Sequence, residues 1–597
     1  MGLRKKLEQC INPLATEEHP ADGIVNIATG RIGPPTVNVH DTVRLGTRQM
    51  NEFDGSLPAG FHGTIEKRFI SMAETKKSVK VGGVKIYDTN LIYSRVIGLQ
   101  ASNRPVDIDD VLSYELAPVP TALFTESGEM RDAKAKSVLK SNTQKLLSTR
   151  RAQENIDVLV IDGSAYLYAL QWPAPPATVQ HYIKKLKYNI GQKLGKCDVY
   201  LIFDRYLEYS IKGATRTSRG TGMVHQLTLT TTLPAQKVVL TVTENKKQLI
   251  QLICEDLQND KDFVDTYTQE HTLLITGENN PIEITKGLII PRPDIATNHE
   301  EADVIIVQQT FMAIEQGAKC PSVMADDTDV YALLSHFYFL KGLNIPMFME
   351  SPVQGRQTVD IRATVKDQEN AKILPNLLAA HGLSGCDTVA KCHGIGKTKV
   401  INALKQQKHS LRCLGDLNAS WEDVLNQSTA FMLACYGVTK VNSMTQGRVN
   451  QWKTKVGRGN SNMPKLCSLP PTDAAFVENL KRAHLQICIW KHALDLNAPD
   501  LDPVQYGWRK DENTKSLVAV TVPPYTELAP SYIQELIKCS CSSDPPCVSA
   551  NCGCNKAGLA CSVFCTCKMT ECYRTQTNAD EEEDSDNDGD DEENDDN

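Results

Sequence analysis

Acidic residues directly follow three short apolar runs of the chain, and they are the side chains with the clearest chemistry. Asp162 follows VLVI, Asp204 follows YLIF, and Asp326, Asp327 and Asp329 follow SVMA. A single aspartate at such a place suits the turn that ends a strand, but the carboxyl ends of parallel strands lie at one edge of a sheet. Two carboxylates about 4 Å apart repel each other by roughly 4 kcal/mol at an effective dielectric constant of 20, so such a group needs a cation.

Oxygen ligands without histidine or cysteine favour Mg²⁺ or Mn²⁺. Two such ions about 3.5–4 Å apart activate a water molecule and stabilise the attacking and leaving oxygens of a phosphodiester. The sequence therefore predicts two-metal hydrolysis of phosphate esters, with Mg²⁺ or Mn²⁺ as the cofactor.

Short apolar runs and helical patterns predict the elements that would hold these acids. Five runs are predicted to be buried strands, at residues 156–162, 198–204, 271–276, 322–326 and 345–349. Segments 300–316 and 372–383 have helical patterns. Strands that alternate with helices predict an α/β fold with a mostly parallel sheet covered on both faces.

Five motifs occur along this part of the chain in the order VIDGSAYLY, LIFDRY, HEEADVIIV, ADDTDVYALL and GLSGCDTVAKCHGIGKTKVINAL. Together they resemble the flap-endonuclease branch of the PIN-like 5′-nuclease superfamily. The resemblance covers about residues 155–405 and implies a PIN-like nuclease domain with a helical hairpin, in which acidic residues hold two divalent metals. The acids that match the family's catalytic positions are Asp162, Asp204, Glu301, Asp303, Asp327, Asp329 and Asp387. All of them except Asp204 are also predicted to be metal ligands.

The GIGKT segment is the predicted hairpin contact with nucleic acid, through Gly394, Gly396, Lys397 and Thr398. Glycines let backbone amides approach a phosphate, and the following helix adds the dipole of its N-terminus. In the family, this segment grips duplex DNA. A plain structural turn is the alternative, whereas a nucleotide-binding P-loop would require a glycine where Lys391 stands.

The interval between the second and third motifs, residues 205–300, is where the family inserts a helical arch or clamp. Three bases near its start, Lys212, Arg216 and Arg219, are predicted to contact phosphates, although an ordinary exposed loop explains them equally well. The run QKVVLTVT, at residues 236–243, has strand propensity instead of the helical character of an arch.

Nine of the 19 cysteines are clustered near the end of the chain. Six terminal and three bridging thiolates would provide the twelve bonds that three tetrahedral zinc ions need. The spacing resembles the tesmin-type CXC domain, which implies a zinc cluster that either binds DNA or docks proteins. A redox-labile or disulfide-rich tail is the alternative. The predicted zinc ligands are Cys539, Cys541, Cys547, Cys552, Cys554, Cys561, Cys565, Cys567 and Cys572.

The formal net charge of −8 is unevenly distributed. The segment 580–597 carries many acids and no base, so the rest of the chain is mildly basic and the tail is predicted to stay solvated. The apolar runs are too short to span a membrane, and the polar start MGLRKKLEQC has no signal-peptide core. The chain is therefore expected to be soluble and intracellular, nuclear or cytoplasmic, with the nucleus favoured.

Composition and motifs together predict five regions. A hydrophobic fraction of 41% and a charged fraction of 23% exclude a wholly disordered chain. The predicted regions are 1–154, of unknown role and ending in a basic helix; 155–405, the nuclease domain; 406–537, mainly helical, with an amphipathic helix at 473–494; 538–574, the zinc cluster; and 575–597, the acidic tail.

The predicted function is a metal-dependent, structure-selective nuclease whose partner is nucleic acid, with DNA favoured. The alternative is a non-catalytic nucleic-acid-binding or scaffold protein that keeps the fold and the zinc module. Acids stand at all five motif positions, which favours catalysis.

Overall fold

The computed structural model describes the central part of the chain in most detail. The chain divides into two compact units, Met1–Thr75 and Lys76–Asn597, and every element below belongs to the second. The described residues are 43–44, 47, 78–81, 84–87, 93, 107–117, 119–125, 128–147, 156–206, 209–212, 222–457, 464–512, 515–531, 539, 541, 547, 552 and 565–567.

A mostly parallel, eight-stranded sheet is the centre of the fold, in the order β10-β9-β8-β3-β4-β5-β6-β7. Strands β9, β8, β3, β4 and β5 run parallel, while β10, β6 and β7 are antiparallel additions at the two edges. The five parallel strands are the five predicted ones, so the predicted α/β class is confirmed. Two separate hairpins pair β1 with β2 and β11 with β12. The strands are β1 Ser78–Val81, β2 Val84–Tyr87, β3 Val158–Asp162, β4 Asp198–Ile202, β5 Leu273–Thr276, β6 Ile282–Thr285, β7 Leu288–Pro291, β8 Pro321–Met324, β9 Phe348–Glu350, β10 Val359–Asp360, β11 Trp508–Asp511 and β12 Ser516–Ala519.

Helices cover both faces of this sheet. The predicted helices at 300–316, 372–383 and 473–494 correspond to α8, α11 and α15. The α-helices are α1 Ile108–Leu112, α2 Ser137–Thr143, α3 Gly163–Ala169, α4 Val179–Leu194, α5 Gln236–Thr241, α6 Thr243–Asn259, α7 Lys261–Tyr267, α8 Ala302–Glu315, α9 Thr328–Leu340, α10 Ile361–Lys366, α11 Gln368–Leu383, α12 Lys397–Lys405, α13 Trp421–Cys435, α14 Met444–Gly457 and α15 Asp473–Lys491. None of these described helices combines the length and apolar character that crossing a bilayer requires.

Alternation along β3 divides the core into two layers. Val158 and Val160 belong to one apolar cluster with α8, α9 and α11, whereas Leu159 and Ile161 belong to another with α4 and α6. Successive side chains of a strand point to opposite faces, so each layer packs on its own side of the sheet. This double cover explains why the strands are almost continuously apolar.

The first layer includes side chains from beyond both ends of the predicted nuclease domain. Phe124 and Leu139 precede the sheet, and Phe431 and Trp490 follow the hairpin, yet all four belong to the cluster that contains Val160. The predicted boundaries near residues 154 and 405 stay predictions, but within the described residues they do not separate hydrophobic cores.

The strand propensity of residues 236–243 does not lead to a strand. This segment forms α5 and the start of α6, with Val242 extended between them. Val239 and Leu240 are buried in the second layer, and Asn245 donates hydrogen bonds to the carbonyls of Val238 and Met223. Burial of one helical face therefore outweighs the weak local preference of β-branched residues.

Candidate metal centre

A cavity of about 280 Å³ opens where the carboxyl ends of β3 and β4 meet the start of α8. Residues 158–162 of β3 pair in register with residues 198–202 of β4, and residues 158–161 pair with residues 321–324 of β8, so all three strands end at the same edge. Five of the seven predicted acids line the cavity. The acidic and basic lining residues are Asp162, Asp204, Asp303, Asp327, Asp387, Lys212 and Lys246.

Asp162 is fixed by the turn from β3 into α3. Its carboxylate caps α3 by accepting a hydrogen bond from the Ala165 amide at 3.0 Å. The next residue, Gly163, packs so closely that a Cβ atom there would lie 2.4 Å from the Phe203 ring. The turn therefore requires glycine directly after the acid.

Asp204 connects the end of β4 to the start of α8. Its carboxylate accepts a hydrogen bond from the Ala302 amide at 3.2 Å. Glu301 and Asp303 are the residues on either side of Ala302, so this bond positions two further acids. The Lys246 ammonium, on α6, lies 3.6 Å from the Asp204 carboxylate.

The turn from β8 into α9 supplies Asp327 and Asp329. Asp327 caps α9 by accepting a hydrogen bond from the Asp329 amide at 2.9 Å. Asp329 is almost fully buried and lies 2.7 Å from Nε2 of His381, on α11. Because the pKa of His381 is lowered to about 4 by burial, the histidine is a neutral donor at neutral pH.

Three carboxylates form the tightest part of the site. Oxygens of Asp303, Asp327 and Asp329 all lie within 4.8 Å of one another. Two lysines reach into the group. Lys136 contacts Asp327 at 3.0 Å, Asp329 at 3.2 Å and Asp387 at 3.4 Å, while Lys212 contacts Asp303 at 3.1 Å and Glu301 at 3.3 Å.

Burial and mutual repulsion raise most of the carboxyl pKa values. Burial raises the pKa of Asp162 to about 6, and it raises the pKa of Asp303 well above the ordinary value although Lys212 opposes it. Burial and the charge of Asp329 also raise the pKa of Asp327. Burial acts in the same direction on Asp329, but Lys136 and His381 outweigh it and lower that pKa.

The donor set fits hard divalent cations. Carboxylate oxygens surround the cavity, and neither cysteine sulfur nor a free imidazole nitrogen lines it among the described residues. Carboxylates forced this close while their pKa values rise are the electrostatic signature of a site that a cation would relieve. Mg²⁺ and Mn²⁺ are the ions that this chemistry favours.

The hairpin differs from the prediction at Lys397. Its side chain points inward, where Nζ donates to the carbonyls of His381 and Gly385 at 2.7 Å and to Oγ of Ser384 at 2.9 Å. Burial lowers its pKa to about 7. The prediction of a phosphate contact through this ammonium is therefore wrong, since three internal acceptors already use its protons.

The remaining hairpin residues do face outward. Gly394 is exposed with a φ of +73°, which favours glycine, and a Cβ atom at Gly396 would have no neighbour within 4 Å. Thr398 and Lys399 are exposed in the first turn of α12. The exposed base of this hairpin is thus Lys399, two residues from the one that the motif indicates.

The three predicted bases of the insert have different outcomes. Lys212 lies inside the carboxylate group instead of on an exposed loop, because Glu301 and Asp303 neutralise it there. Arg216 and Arg219 lie outside the described residues.

Sequence reasoning missed three residues of the site: Lys136, Lys246 and His381. Lys136 belongs to a basic segment of the sequence, but nothing in that segment distinguishes it from its basic neighbours. His381 has a weak signal, since it lies on the predicted helix six residues before the acid of the GCD motif, Asp387.

The cysteine cluster has sulfur positions compatible with zinc. Cys539 Sγ lies 3.7 Å from Cys547 Sγ and 3.9 Å from Cys567 Sγ. A tetrahedral site with Zn–S bonds of about 2.3 Å has sulfurs about 3.8 Å apart. Two groups of described cysteines share Cys539, namely Cys539, Cys541, Cys547 and Cys552, and Cys539, Cys565 and Cys567.

The shared sulfur is the arrangement that a bridging thiolate requires. No disulfide bond joins any two of the described cysteines, which disfavours a disulfide framework in this part of the chain. Three predicted ligands, Cys554, Cys561 and Cys572, lie outside the described residues.

Comparisons with known proteins find only solved structures of low similarity. No family model and no curated protein matches the chain. Among solved structures, the T5 D15 protein crystallised with metal ions shares 11% identity at a TM-score of 0.27, covering 55% of this chain and 98% of its own.

Two DNA complexes are similar to the same degree. The catalytic core of Rad2 with a DNA substrate shares 11% identity at a TM-score of 0.29, covering 61% of this chain and 98% of that one. Human GEN1 with Holliday junction DNA shares 11% identity at a TM-score of 0.28, covering 60% and 75%. Similarity at this level does not show an activity for this chain.

Proposed function

We propose that this protein is a divalent-metal-dependent, structure-selective nuclease that hydrolyses phosphodiesters at the carboxylate cluster. One observation carries the proposal. Seven acids from five separate parts of the chain lie together as one carboxylate cluster, and five of them line the cavity, although buried carboxylates repel one another. A fold keeps such a group at a cost in stability, and phosphodiester hydrolysis at two cation positions is the chemistry that it serves.

The carboxylates would have distinct roles. Asp162, Glu301, Asp303, Asp327, Asp329 and Asp387 would hold the cations, and Asp204 would position the start of α8 through the Ala302 amide. Divalent ions bound there would lower the pKa of water and neutralise charge that develops on the phosphate. His381 would keep Asp329 ionised and correctly oriented, since it donates to that carboxylate from the buried side.

Two lysines would assist with the substrate. Lys246 borders the cavity and carries its charge near Asp204, where a phosphate oxygen entering the cavity would meet it. Lys212 borders the same cavity. Both ammonium groups would shield an anionic substrate from the carboxylates, which would otherwise repel it.

The exposed hairpin would grip the nucleic-acid backbone. Gly394 and Gly396 leave room for a phosphate beside the N-terminus of α12, and no side chain caps this helix end. Backbone amides and Lys399 would therefore contact the backbone without reading sequence. DNA is the proposed partner, held through its phosphates.

The alternative function is supported by charge compensation without a metal, because Lys136 and Lys212 already pair with five of the acids. A scaffold protein that has lost cleavage could keep such ion pairs. This second candidate predicts nucleic-acid binding that is independent of divalent metal.

Cleavage assays separate the two candidates. The full chain, with Mg²⁺ or Mn²⁺, is offered flap, hairpin and single-stranded DNA and RNA beside Asp327→Ala and the control Asp326→Asn. Asp326 follows the same strand but pairs with Arg356 at 2.8 Å, outside the cluster. We expect cleavage by the wild type and the control, with a loss of at least about a thousandfold in Asp327→Ala. Intact substrate in every lane, with binding retained, would favour the scaffold.

The cysteine cluster is proposed to be a zinc module of the CXC type. The shared position of Cys539 and the tetrahedral spacing of its sulfur neighbours support it. Metal analysis of the purified chain tests this proposal, with about three zinc ions expected per chain.

A further inference from the structure

The ammonium of Lys136 lies where a cation would lie among the carboxylates of Asp327, Asp329 and Asp387. Its Nζ contacts Oδ1 of Asp327 at 3.0 Å, Oδ2 of Asp329 at 3.2 Å and Oδ1 of Asp387 at 3.4 Å. An ammonium has three protons, so these three carboxylates use its full donor capacity. The other two lysines contact fewer acids, because Lys212 contacts two and Lys246 contacts one.

The helix that follows Lys136 is anchored to the same elements that carry its partners. Leu139, one turn further on, is fully buried in the first core layer. Thr143 Oγ1 lies 2.8 Å from Oη of Tyr331, on α9, and the Lys145 amide donates to Oγ1 of Thr364 at 2.9 Å. Helix α9 also begins with Asp327 and Asp329. The lysine is therefore held in place by buried contacts on the carboxylates' own helix.

The part of the cluster formed by Asp162, Asp204 and Asp303 can still bind a divalent ion. Asp162 lines the cavity and forms no ion pair among the described residues within 4.0 Å, while its carboxylate is held by the Ala165 amide. Asp204 and Asp303 line the cavity beside it. Lys212 contacts Asp303 and Lys246 contacts Asp204, but no ammonium of the described residues contacts more than one of these three carboxylates, so they can close around a metal of small radius.

We infer that Lys136 is the resident cation of the group Asp327, Asp329 and Asp387, so that the site binds one divalent ion instead of two. This inference rests on the proposed function and deepens it, because the second of the two cation positions is then filled by the protein itself. A lysine ammonium and a divalent ion compete for the same three oxygens, because two cations held by one set of oxygens lie close together and repel each other.

Mn²⁺ bound to the full chain tests the inference without reference to activity. Two Mn²⁺ ions about 3.5–4 Å apart are magnetically coupled, and an isolated ion is not. Electron paramagnetic resonance is recorded with two equivalents of Mn²⁺ for the wild type, Lys136→Met, Lys136→Arg and the control Lys140→Met. Lys140 lies one turn away on the same helix and borders a different cavity, with Asp326 and Arg356.

Only Lys136→Met is expected to give a coupled signal, with about one Mn²⁺ pair per chain. The wild type, Lys136→Arg and Lys140→Met should give isolated Mn²⁺ alone, and ions on the acidic tail would add to that isolated signal without imitating coupling. A coupled pair in the wild type would overturn the inference, whether or not the variants fold. Isolated Mn²⁺ in folded Lys136→Met, with its melting temperature near that of the wild type, would overturn it as well.

Failure of the proposed function would look different. If the wild type binds one Mn²⁺ but cleaves none of the substrates, the nuclease proposal fails while the assignment of Lys136 stands. If the wild type binds a coupled pair of Mn²⁺ ions and cleaves a substrate, the nuclease proposal stands while the assignment of Lys136 fails.

Discussion

Asp303→Asn is expected to stabilise the metal-free protein and to remove most of its stabilisation by divalent metal. Oxygens of Asp303, Asp327 and Asp329 lie within 4.8 Å of one another. At this distance each pair of unit charges repels by about 3.5 kcal/mol at an effective dielectric constant of 20. The residue therefore experiences two repulsions that an amide would not.

Lys212 offsets part of this repulsion. Its ammonium lies 3.1 Å from the Asp303 carboxylate, which corresponds to an attraction of about 5 kcal/mol on the same scale. A net repulsion of about 2 kcal/mol remains, and partial protonation limits it because the pKa of Asp303 is raised well above its ordinary value. We expect Asp303→Asn to raise the free energy of unfolding by about 1–2 kcal/mol and the melting temperature by about 2 °C.

Thermal unfolding of the zinc-loaded chain measures both effects, first without and then with millimolar Mg²⁺. The wild type should gain about 3 kcal/mol when Mg²⁺ reaches a hundred times its dissociation constant, whereas Asp303→Asn should gain little. The control Asp326→Asn loses a partly exposed ion pair with Arg356, and its amide oxygen can still accept the hydrogen bond from Ser351. Its stability should therefore change by less than about 1 kcal/mol, and its Mg²⁺ response should match the wild type.

Lower metal-free stability of Asp303→Asn, together with a Mg²⁺ response equal to that of the wild type, would refute this reasoning. Such a result would mean that Asp303 serves Lys212 as a structural partner and does not face a metal. Loss of the Mg²⁺ response in Asp326→Asn would refute it from the other side, since the response would then not be specific to the cluster.

Three further predictions concern other parts of the chain. Gly163→Ala should lower the free energy of unfolding by about 2 kcal/mol and reduce cleavage, because its Cβ atom would lie 2.4 Å from Phe203; Gly396→Ala, with open space around it, is the control for thermal unfolding. Metal analysis should find less zinc per chain in Cys539→Ser than in Cys541→Ser, since Cys539 belongs to both sulfur groups. Equal zinc contents of the two variants would contradict the shared position. Wild-type stability should rise between about pH 7 and pH 10.5, because the unfolded chain binds a proton on Lys397 that the folded chain has lost. In denaturant titrations Lys397→Met should lose this rise, and an unchanged slope would exclude Lys397 as its source.

The sequence predicts the sheet well because its strands are buried on both faces. Such strands are almost continuously apolar, and their ends are marked where acids replace apolar residues, as at Asp162 and Asp327. The run at 236–243 shows the limit of this reasoning. Its β-branched residues favour a strand locally, and only the burial of Val239 and Leu240 against distant helices makes it helical.

Residue types and their order along the chain were sufficient to identify the acids that meet at the cavity and the cysteines whose sulfurs lie together. The pattern of apolar runs followed by acids places these acids at strand ends and helix starts, and neighbouring residues in the sequence are enough to show this pattern. The charges that balance those acids were decided only by the tertiary structure. Lys136 reaches Asp387 from 251 residues away, and Lys397 turns inward to three backbone and hydroxyl acceptors. The direction in which a long basic side chain points depends on which partners the folded chain brings within reach. A local sequence pattern does not show which distant residues these partners are.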